Sequence, residues 1–421
     1  MDAIALRREF HKYPEVGFTE FRTASKVVEI LKSLGYEVIY GAAALDPQSR
    51  RGVPSEEELE AAYNRALAGG ANPKIIEKMK GGNTAVIGIL KGKRTGPTVA
   101  FRFDMDALPI QESTDLDHFP QSSEFRSKYE GNMHACAHDA HTAIGLSLAE
   151  KMSDQNFSGT LKLIFQPAEE GGRGAYSIVK KGMADDIDQL FCLHLGLDVP
   201  LGEIYGGSKD LLATTKLLAH FHGVPSHSGI SPEKGRNALL GAATALLNIH
   251  SLPRFSSCPT RVNVGVLEGG TAPNIIPQYA KMIIETRASL AEINNELEKR
   301  VRDIIEHSAA MHGLRYEIEV IGEATTLVCD ENMIATVLEQ AKNTRGFDSF
   351  KEYYNFGGSE DASFLIRRVQ ECGGQGTYMV IGTPIAAPHH HQKFDIGEDA
   401  IPMSVELLER IAKRTLHVRE G

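Results

Sequence analysis

"LLATTKLLAHFHGVPSHSGISPEKGRNALLGAATALLNIHSL", residues 211–252, begins as an extended run and ends as a helix. Downstream, "TRVNVGVLEG" (260–269) and "YAKMIIETRA" (279–288) read as strands. "AEINNELEKRVRDIIEHSAAMHG" (291–313) reads as a helix, and "LRYEIEVIG" (314–322) as a last strand. The order β-α-β-β-α-β is the split βαβ, ferredoxin-like plan. It decides the fold because a different pattern runs on either side of it.

Before residue 212 helical and extended patterns alternate. "TASKVVEILKSLG" puts Ala24, Val27, Val28, Leu31 and Leu34 on one helical face, with Gly35 as the stop. "TAVIGIL", "TVAFRF", "TLKLIFQ" and "QLFCLH" are short apolar runs expected to be buried strands, with a helix from about His141 to Met152 between them. After residue 322 the alternation resumes, with a helix near 333–343, the strand "TYMVIG" and a final helix near 401–417. Such alternation defines an α/β layered domain. The expected organisation is therefore an α/β catalytic domain from residues 1–211 and 323–421, with residues 212–322 inserted. Residues 41–82 interrupt the first part. Ser55 and Glu58 form a capping box ahead of one helix, and Asn72-Pro73 starts another, so a helical hairpin is expected there.

Composition narrows the function. A net charge of −10 over 421 residues disfavours nucleic acid and anionic membranes as partners, while leaving room for a local basic pocket. No apolar run reaches the ~18 residues of a membrane helix. The N-terminus "MDAIALRREFHKYPE" has no signal-peptide core. Five scattered cysteines read as reduced thiols of a cytoplasmic protein.

Histidine makes up 16 of 421 residues, yet three stand with a cysteine and an aspartate in "HACAHDAHT", 134–142. No Cys-x-x-Cys pair accompanies them, so a closed structural zinc site is a poor fit. Further ligand types occur where strands are expected to end: Glu169 and Glu170 after "LKLIFQPA", His194 in "LFCLHLG", and His389, His390 and His391 in "APHHHQKFD". The carboxyl ends of strands are where α/β sheets build sites. Cys136, His138, one glutamate, His194 and one late histidine make five groups. That is too many for one tetrahedral zinc with a water, and suits two neighbouring ions. Adjacent glutamates point different ways, so one can bind an ion while the other takes a proton from the water being activated. The chemistry is hydrolysis.

The motifs "RREFHKYPEVGFTEFRTA", "RFDMDALPI", "HACAHDAHTAIGL", "FQPAEEGGRGA", "GVPSHSGISPEKGRNAL", "NIIP", "GGSEDAS" and "HHHQKFDIGED" run through nearly the whole chain. With them the sequence resembles the metallopeptidase-type amidohydrolases that include aminoacylases, hippurate hydrolases and auxin-conjugate hydrolases. The resemblance implies a di-metal peptidase-like domain carrying an inserted ferredoxin-like domain for lid and dimerisation. It implies two divalent ions, zinc or manganese, held by Cys136, His138, Glu170, His194 and His390. His390 is chosen because it stands four residues before Phe394, with His389 and His391 as the neighbouring alternatives. Glu169 would be the general base and His227 would polarise the scissile carbonyl, often from a second protomer. Asn274 and Arg287 would hold the substrate carboxylate, and Asp104 and Asp106 would stand behind the ligands and orient them. The implied reaction is cleavage of N-acyl or N-aroyl amino acids, best matched by p-aminobenzoyl-glutamate. Aliphatic N-acyl amino acids or dipeptides are alternatives, as is a weakly catalytic scaffold or binding component of a heteromeric hydrolase. The implied assembly is a homodimer or a heterodimer with a paralogue. One departure stands out: Ala137 occupies a position where this family usually has glycine, and a methyl group there is expected to shift the loop or require φ below zero.

Overall fold

The computed structural model describes residues 1–417. The chain divides into two compact units. One comprises residues 1–209, 327–356 and 360 onward; the other comprises residues 210–326 and 357–359. The strands in chain order are β1 Glu37–Tyr40, β2 Val86–Lys91, β3 Arg94–Asp104, β4 Ser158–Gln166, β5 Gln189–Leu195 and β6 Glu203–Lys209. They continue as β7 Ala213–His222, β8 Thr260–Gly269, β9 Tyr279–Ala288, β10 Arg315–Ala324, β11 Ser349–Asn355 and β12 Gln375–Ile381.

The first unit is built on an eight-stranded mixed sheet, ordered β1-β2-β4-β3-β5-β12-β6-β11. Its middle four strands, β4, β3, β5 and β12, are mutually parallel. Their carboxyl ends therefore emerge side by side, and the loops that follow them converge. Parallel strands must be covered on both faces, and the apolar runs supply that: Val99, Phe101, Leu161, Leu163, Phe165, Leu190 and Phe191 are all inaccessible to solvent. Helix His138–Lys151 lies in this core, buried from His138 to Ala149. Gly145 allows its close approach, since a Cβ there would stand 2.5 Å from the Phe103 ring.

The second unit is a four-stranded antiparallel sheet, ordered β10-β7-β9-β8, with helices Ala238–His250 and Ala291–Met311 packed on it. This is the ferredoxin-like plan expected from the element order. Alternation sets the faces: Leu217, Ala219 and Phe221 of β7 meet Met282 and Ile284 of β9 in the core, while Lys216, His220 and Lys281 point to the open face.

The insertion between β1 and β2 differs from the expected hairpin. Helix Glu56–Ala68 forms with its Ser55/Glu58 capping box. The second arm is only Pro73–Ile76, followed by a 3-10 turn Glu77–Met79. Asn72 does cap it, but Gly81 and Gly82, both at positive φ, end the segment before a second full helix can grow.

A buried ionic network ties helix Ala3–Lys12 to helix His138–Lys151. His11 Nδ1 lies 2.8 Å from Asp139 Oδ2, and His11 Nε2 lies 2.9 Å from Glu112 Oε1. Arg7 Nε stands 2.8 Å from the same Asp139 oxygen. With a carboxylate at each ring nitrogen, His11 must donate from both, which is the imidazolium form. Burial opposes that charge, but Asp139 and Glu112 outweigh it and push the His11 pKa up to about 9. A folded-state value above the unfolded ~6.5 stabilises the fold fully below that pH, and the contribution disappears as pH rises through about 9. Denaturant titrations are expected to lose up to about 3 kcal/mol over this range, and a His11→Gln variant is expected to lose that slope. An unchanged slope in the variant would remove His11 as its source.

Candidate metal and catalytic site

The four parallel strand ends bring the expected ligands together. Asp104 closes β3 and Asp106 follows it. Glu169 and Glu170 follow β4, His194 is the penultimate residue of β5, and residues 389–391 follow β12. Cys136 and His138 come from the start of the central helix. Cys136, His138 and Glu170 offer ligand atoms within 4.8 Å of one another, and so do Cys136, His194 and His389.

Each ring is oriented by its second nitrogen. His138 Nδ1 donates to the Asp106 carbonyl at 2.9 Å, and His194 Nδ1 donates to the Leu195 carbonyl at 2.8 Å. Both rings thus turn Nε2 toward the cluster, His194 Nε2 lying 3.4 Å from Cys136 Sγ and His138 Nε2 3.9 Å from Glu169 Oε2. One nitrogen pinned to a carbonyl and the other turned to neighbouring ligand atoms is the arrangement of a metal-binding histidine. Among the described residues, buried His138 Nε2 has no hydrogen-bond partner. An unpartnered buried ring nitrogen beside a thiol and a carboxylate is costly unless a cation satisfies it, so the residues fit divalent ions. Burial and the Glu170 carboxylate push the Cys136 thiol well up, a bias that a bound cation would reverse.

The neighbouring carboxylates are held from behind. Asp106 accepts the backbone N–H of Glu169 at 2.9 Å and of Glu170 at 3.0 Å, which fixes the turn. Asp104 accepts from Arg102 Nη1 at 2.5 Å and from His141 Nδ1 at 2.6 Å. His141 Nε2 accepts from the Leu195 N–H at 3.0 Å, linking the central helix to the end of β5. Glu169 lies within 4.8 Å of Glu360 and Asp361. Burial first, then the charges of Glu360, Glu170 and Asp361, push Glu169 far above the usual carboxylate range. Glu360 is itself fixed by Arg102 at 3.1 Å and by the Tyr378 hydroxyl at 2.6 Å. Asp361 accepts from Gln166 and from the Gly174 and Ala175 N–H groups.

Glu360, Asp361, His141 and buried Glu20, which accepts the Ala168 N–H at 2.8 Å, carry no role that the sequence alone announces. The pair 360–361 stands inside "GGSEDAS", yet nothing local ties it to Glu169. Only the strand order does. Of the three late histidines, His389 Nδ1 lies 3.3 Å from Cys136 Sγ, and His390 Nε2 lies 3.3 Å from Glu170 Oε1. His391 is exposed and accepts from the Lys393 N–H.

Ala137 departs from expectation. It keeps φ at +67°, the left-handed region, instead of moving to negative φ. The turn that sets Cys136 beside His138 is retained at the cost of a crowded Cβ, about 1–2 kcal/mol. Ala137→Gly is therefore expected to raise stability by about 1 kcal/mol, after allowing for the added freedom of the unfolded chain. Thermal melts at saturating metal check it; a lower Tm would mean the methyl is stabilising.

In the second unit, His227 Nδ1 accepts from the Gly229 and Ile230 N–H groups, so Nε2 carries the proton. Ser228 donates to the Asn274 carbonyl, which sets the two loops side by side. Arg287 lies elsewhere. It pairs with Thr214 at the start of β7, whereas His227 follows the other end of that strand. Tyr279, where the Asn274 segment enters β9, is eight residues from Arg287, roughly 27 Å along a strand. One chain therefore does not bring Asn274 and Arg287 to one carboxylate. The Nε and Nη2 of Arg287 hold both Glu285 oxygens at 2.9 Å, leaving Nη1 for another anion.

Clustered thiol, imidazole and carboxylate groups at parallel strand ends, beside a carboxyl with raised proton affinity, are the equipment of a metal-dependent amide hydrolase. The chain belongs to Peptidase family M20/M25/M40, which residues 100–414 match. It is 43% identical over 405 residues to the indole-3-acetyl-aspartic acid hydrolase of Enterobacter agglomerans, covering 96% of this chain and 93% of that one. It is 42% identical over 409 residues to a p-aminobenzoyl-glutamate hydrolase subunit of Escherichia coli (strain K12), with 96% and 94% covered. The crystal structure of an aminobenzoyl-glutamate utilization protein from Klebsiella pneumoniae superposes with a TM-score of 0.86 at 38% identity, covering 98% of this chain and 95% of that one. No helix among the described residues is long and apolar enough to cross a membrane.

Proposed function

We propose that this protein hydrolyses the amide bond of N-acyl or N-aroyl amino acids that carry a free carboxylate, with p-aminobenzoyl-glutamate the best-matched substrate. The observation that carries this reading is the split Glu169/Glu170 pair. Asp106 holds both backbones, one carboxylate joins the Cys136–His138 cluster, and the other lies against Glu360 and Asp361. The Enterobacter agglomerans and Escherichia coli relatives support the substrate class, since each is named for an amide of an acidic amino acid.

In this reading Cys136, His138, Glu170, His194 and His390 hold two divalent ions. Thiolate and imidazole suit zinc, and the carboxylate also admits manganese. When bound, the ions supply positive charge that polarises the scissile carbonyl and acidifies water. Glu169 takes the water's proton and passes it to the leaving nitrogen. Its neighbours Glu360 and Asp361 strengthen its hold on that proton. His227 donates from Nε2 to the carbonyl oxygen. Arg287 and Asn274 grip the substrate carboxylate, Arg287 through its free end.

The separation of Arg287 from the His227–Asn274 loops supports a site completed by two chains. A homodimer satisfies this, as does a heterodimer with a paralogue. Helix Ala238–His250 leaves Leu240 52% and Leu247 70% exposed, apolar surface that suits such a partner. The five free cysteines support a reducing, cytoplasmic setting.

A panel of aroyl- and acyl-amino acids assayed with defined metals tests the substrate class; failure on every carboxylate-bearing amide sinks it. Within the panel, Arg287→Lys is expected to cost about 1.5–3 kcal/mol in kcat/KM, because a point charge does not replace a fork. Amidating the substrate carboxylate is expected to cost the wild type about as much. The two changes together should be far from additive. Additive effects would remove Arg287 from the carboxylate site.

A further inference from the structure

His389 is the unexplained member of the cluster. Its Nδ1 lies 3.3 Å from Cys136 Sγ, near enough to resemble a ligand sharing an ion with the thiolate. Its other nitrogen excludes that role. His389 Nε2 accepts a hydrogen bond from the Leu197 backbone N–H at 3.0 Å. An imidazole that accepts at Nε2 keeps its proton on Nδ1. The Nδ1–H then points at sulfur and has no lone pair to give an ion. Coordination through Nδ1 would place the proton on Nε2, against the Leu197 N–H, donor facing donor. His138 and His194 show the reverse pattern: each donates its Nδ1–H to a carbonyl and turns Nε2 toward the cluster, His194 Nε2 lying 3.4 Å from Cys136 Sγ.

The surroundings hold the ring in this orientation. It packs against Phe394 at 4.7 Å and His194 at 5.3 Å between centroids. The Leu197 N–H comes from a turn in which Gly196, Leu197 and Asp198 all have positive φ. Gly196 has no room for a side chain, since a Cβ there would stand 2.9 Å from His389 Nε2. Two non-glycine residues in the left-handed region are costly, and this turn delivers the N–H that fixes the His389 tautomer.

We propose that His389 is a positioning residue that donates an Nδ1–H hydrogen bond to the Cys136 thiolate and does not bind metal. This rests on the reading of Cys136 as a metal-binding thiolate. The bond aims the sulfur and draws off part of its charge, which would weaken its donation to the ions it would hold. Two of the three consecutive histidines thus divide the work: His390 faces Glu170 as a ligand, and His389 faces the sulfur as a donor.

The test uses the full chain loaded with saturating cobalt, read by metal content and by the thiolate-to-cobalt charge-transfer band. His389→Leu removes the donor. His389→Asn places an amide N–H near the position of Nδ1. The leucine variant is expected to bind as many ions as the wild type, with affinity lowered about 10–100-fold, the scale for groups that support ligands. Its charge-transfer band is expected at longer wavelength, because the sulfur lone pairs are no longer stabilised. The asparagine variant should return the band toward the wild-type position. His390→Ala should lose bound metal outright. Loss of an ion in both His389 variants would make His389 a ligand and overturn the proposal. So would an unmoved band in the leucine variant, or a leucine-like band in the asparagine variant. A wild-type chain with no thiolate-to-cobalt band would instead remove the metal reading itself, and the proposal with it.

Discussion

Replacing Glu169 by glutamine is expected to leave the metal content unchanged and lower turnover by roughly 10²–10⁴-fold, the scale of a lost general base. The geometry separates this residue from its neighbour. Glu170 belongs to the Cys136–His138 group, whereas Glu169 shares its space with Glu360 and Asp361. Glutamine preserves size and hydrogen-bonding reach but cannot accept the water's proton, so kcat should fall with little change in metal affinity. The same change removes one of several crowded carboxyl groups, so the variant should fold at least as stably as the wild type. Parallel loss of metal and activity, measured by elemental analysis and single-turnover kinetics, would make Glu169 a ligand and transfer the base role elsewhere.

Cys136→Ala is expected to act on the metals first. Its sulfur is common to both groups of ligand atoms, with His138 and Glu170 on one side and His194 on the other. Losing it should lower metal content at concentrations that saturate the wild type, and abolish turnover at those concentrations. Stability supplies a second readout. Ligand present at 100 times its dissociation constant stabilises a folded chain by about 2.7 kcal/mol. A chelator should therefore lower the wild-type Tm, while Cys136→Ala should melt alike with and without it. Full metal stoichiometry in the variant would exclude a bridging thiolate.

The inserted fold was legible because its elements are long and strictly patterned: the ten-residue β7 and β9 alternate, and the helices between strands run 13 and 21 residues. The edge of the larger sheet was not. β6, "EIYGGSK", carries two adjacent glycines, and β11, "SFKEYYN", is largely solvent-facing, so neither shows a buried-strand pattern. The gathering of candidate ligands was readable from their residue types and their places at strand ends. The groups behind them were not, because a hydrogen bond to Glu360 from Tyr378, or to Asp361 from Gly174, depends on which strands lie beside each other. Asn274 and Arg287 show a different limit. Their motifs imply one shared carboxylate; the register of β7 against β9 sets Arg287 at the far end of its strand from Tyr279, where the Asn274 segment enters, a separation within one chain that no local motif announces.

Among the described residues, ten that are not glycine have positive φ, and five of them adjoin the site: Ala137 between Cys136 and His138, Ala168 before Glu169, Leu197 and Asp198 after His194, and His390 itself. Glycine at such positions would cost less in the folded chain but would let the loops explore many more conformations. A side chain in the left-handed region confines its turn to a narrow well even before an ion arrives. The cluster is therefore pre-organised, with the ordering entropy spent during folding and not at ion capture. Stability and ion affinity should then move in opposite directions: the Ala137→Gly chain that melts higher should hold its ions a few-fold more weakly, because the roughly 0.4–1 kcal/mol of freedom it regains must be given up again on binding.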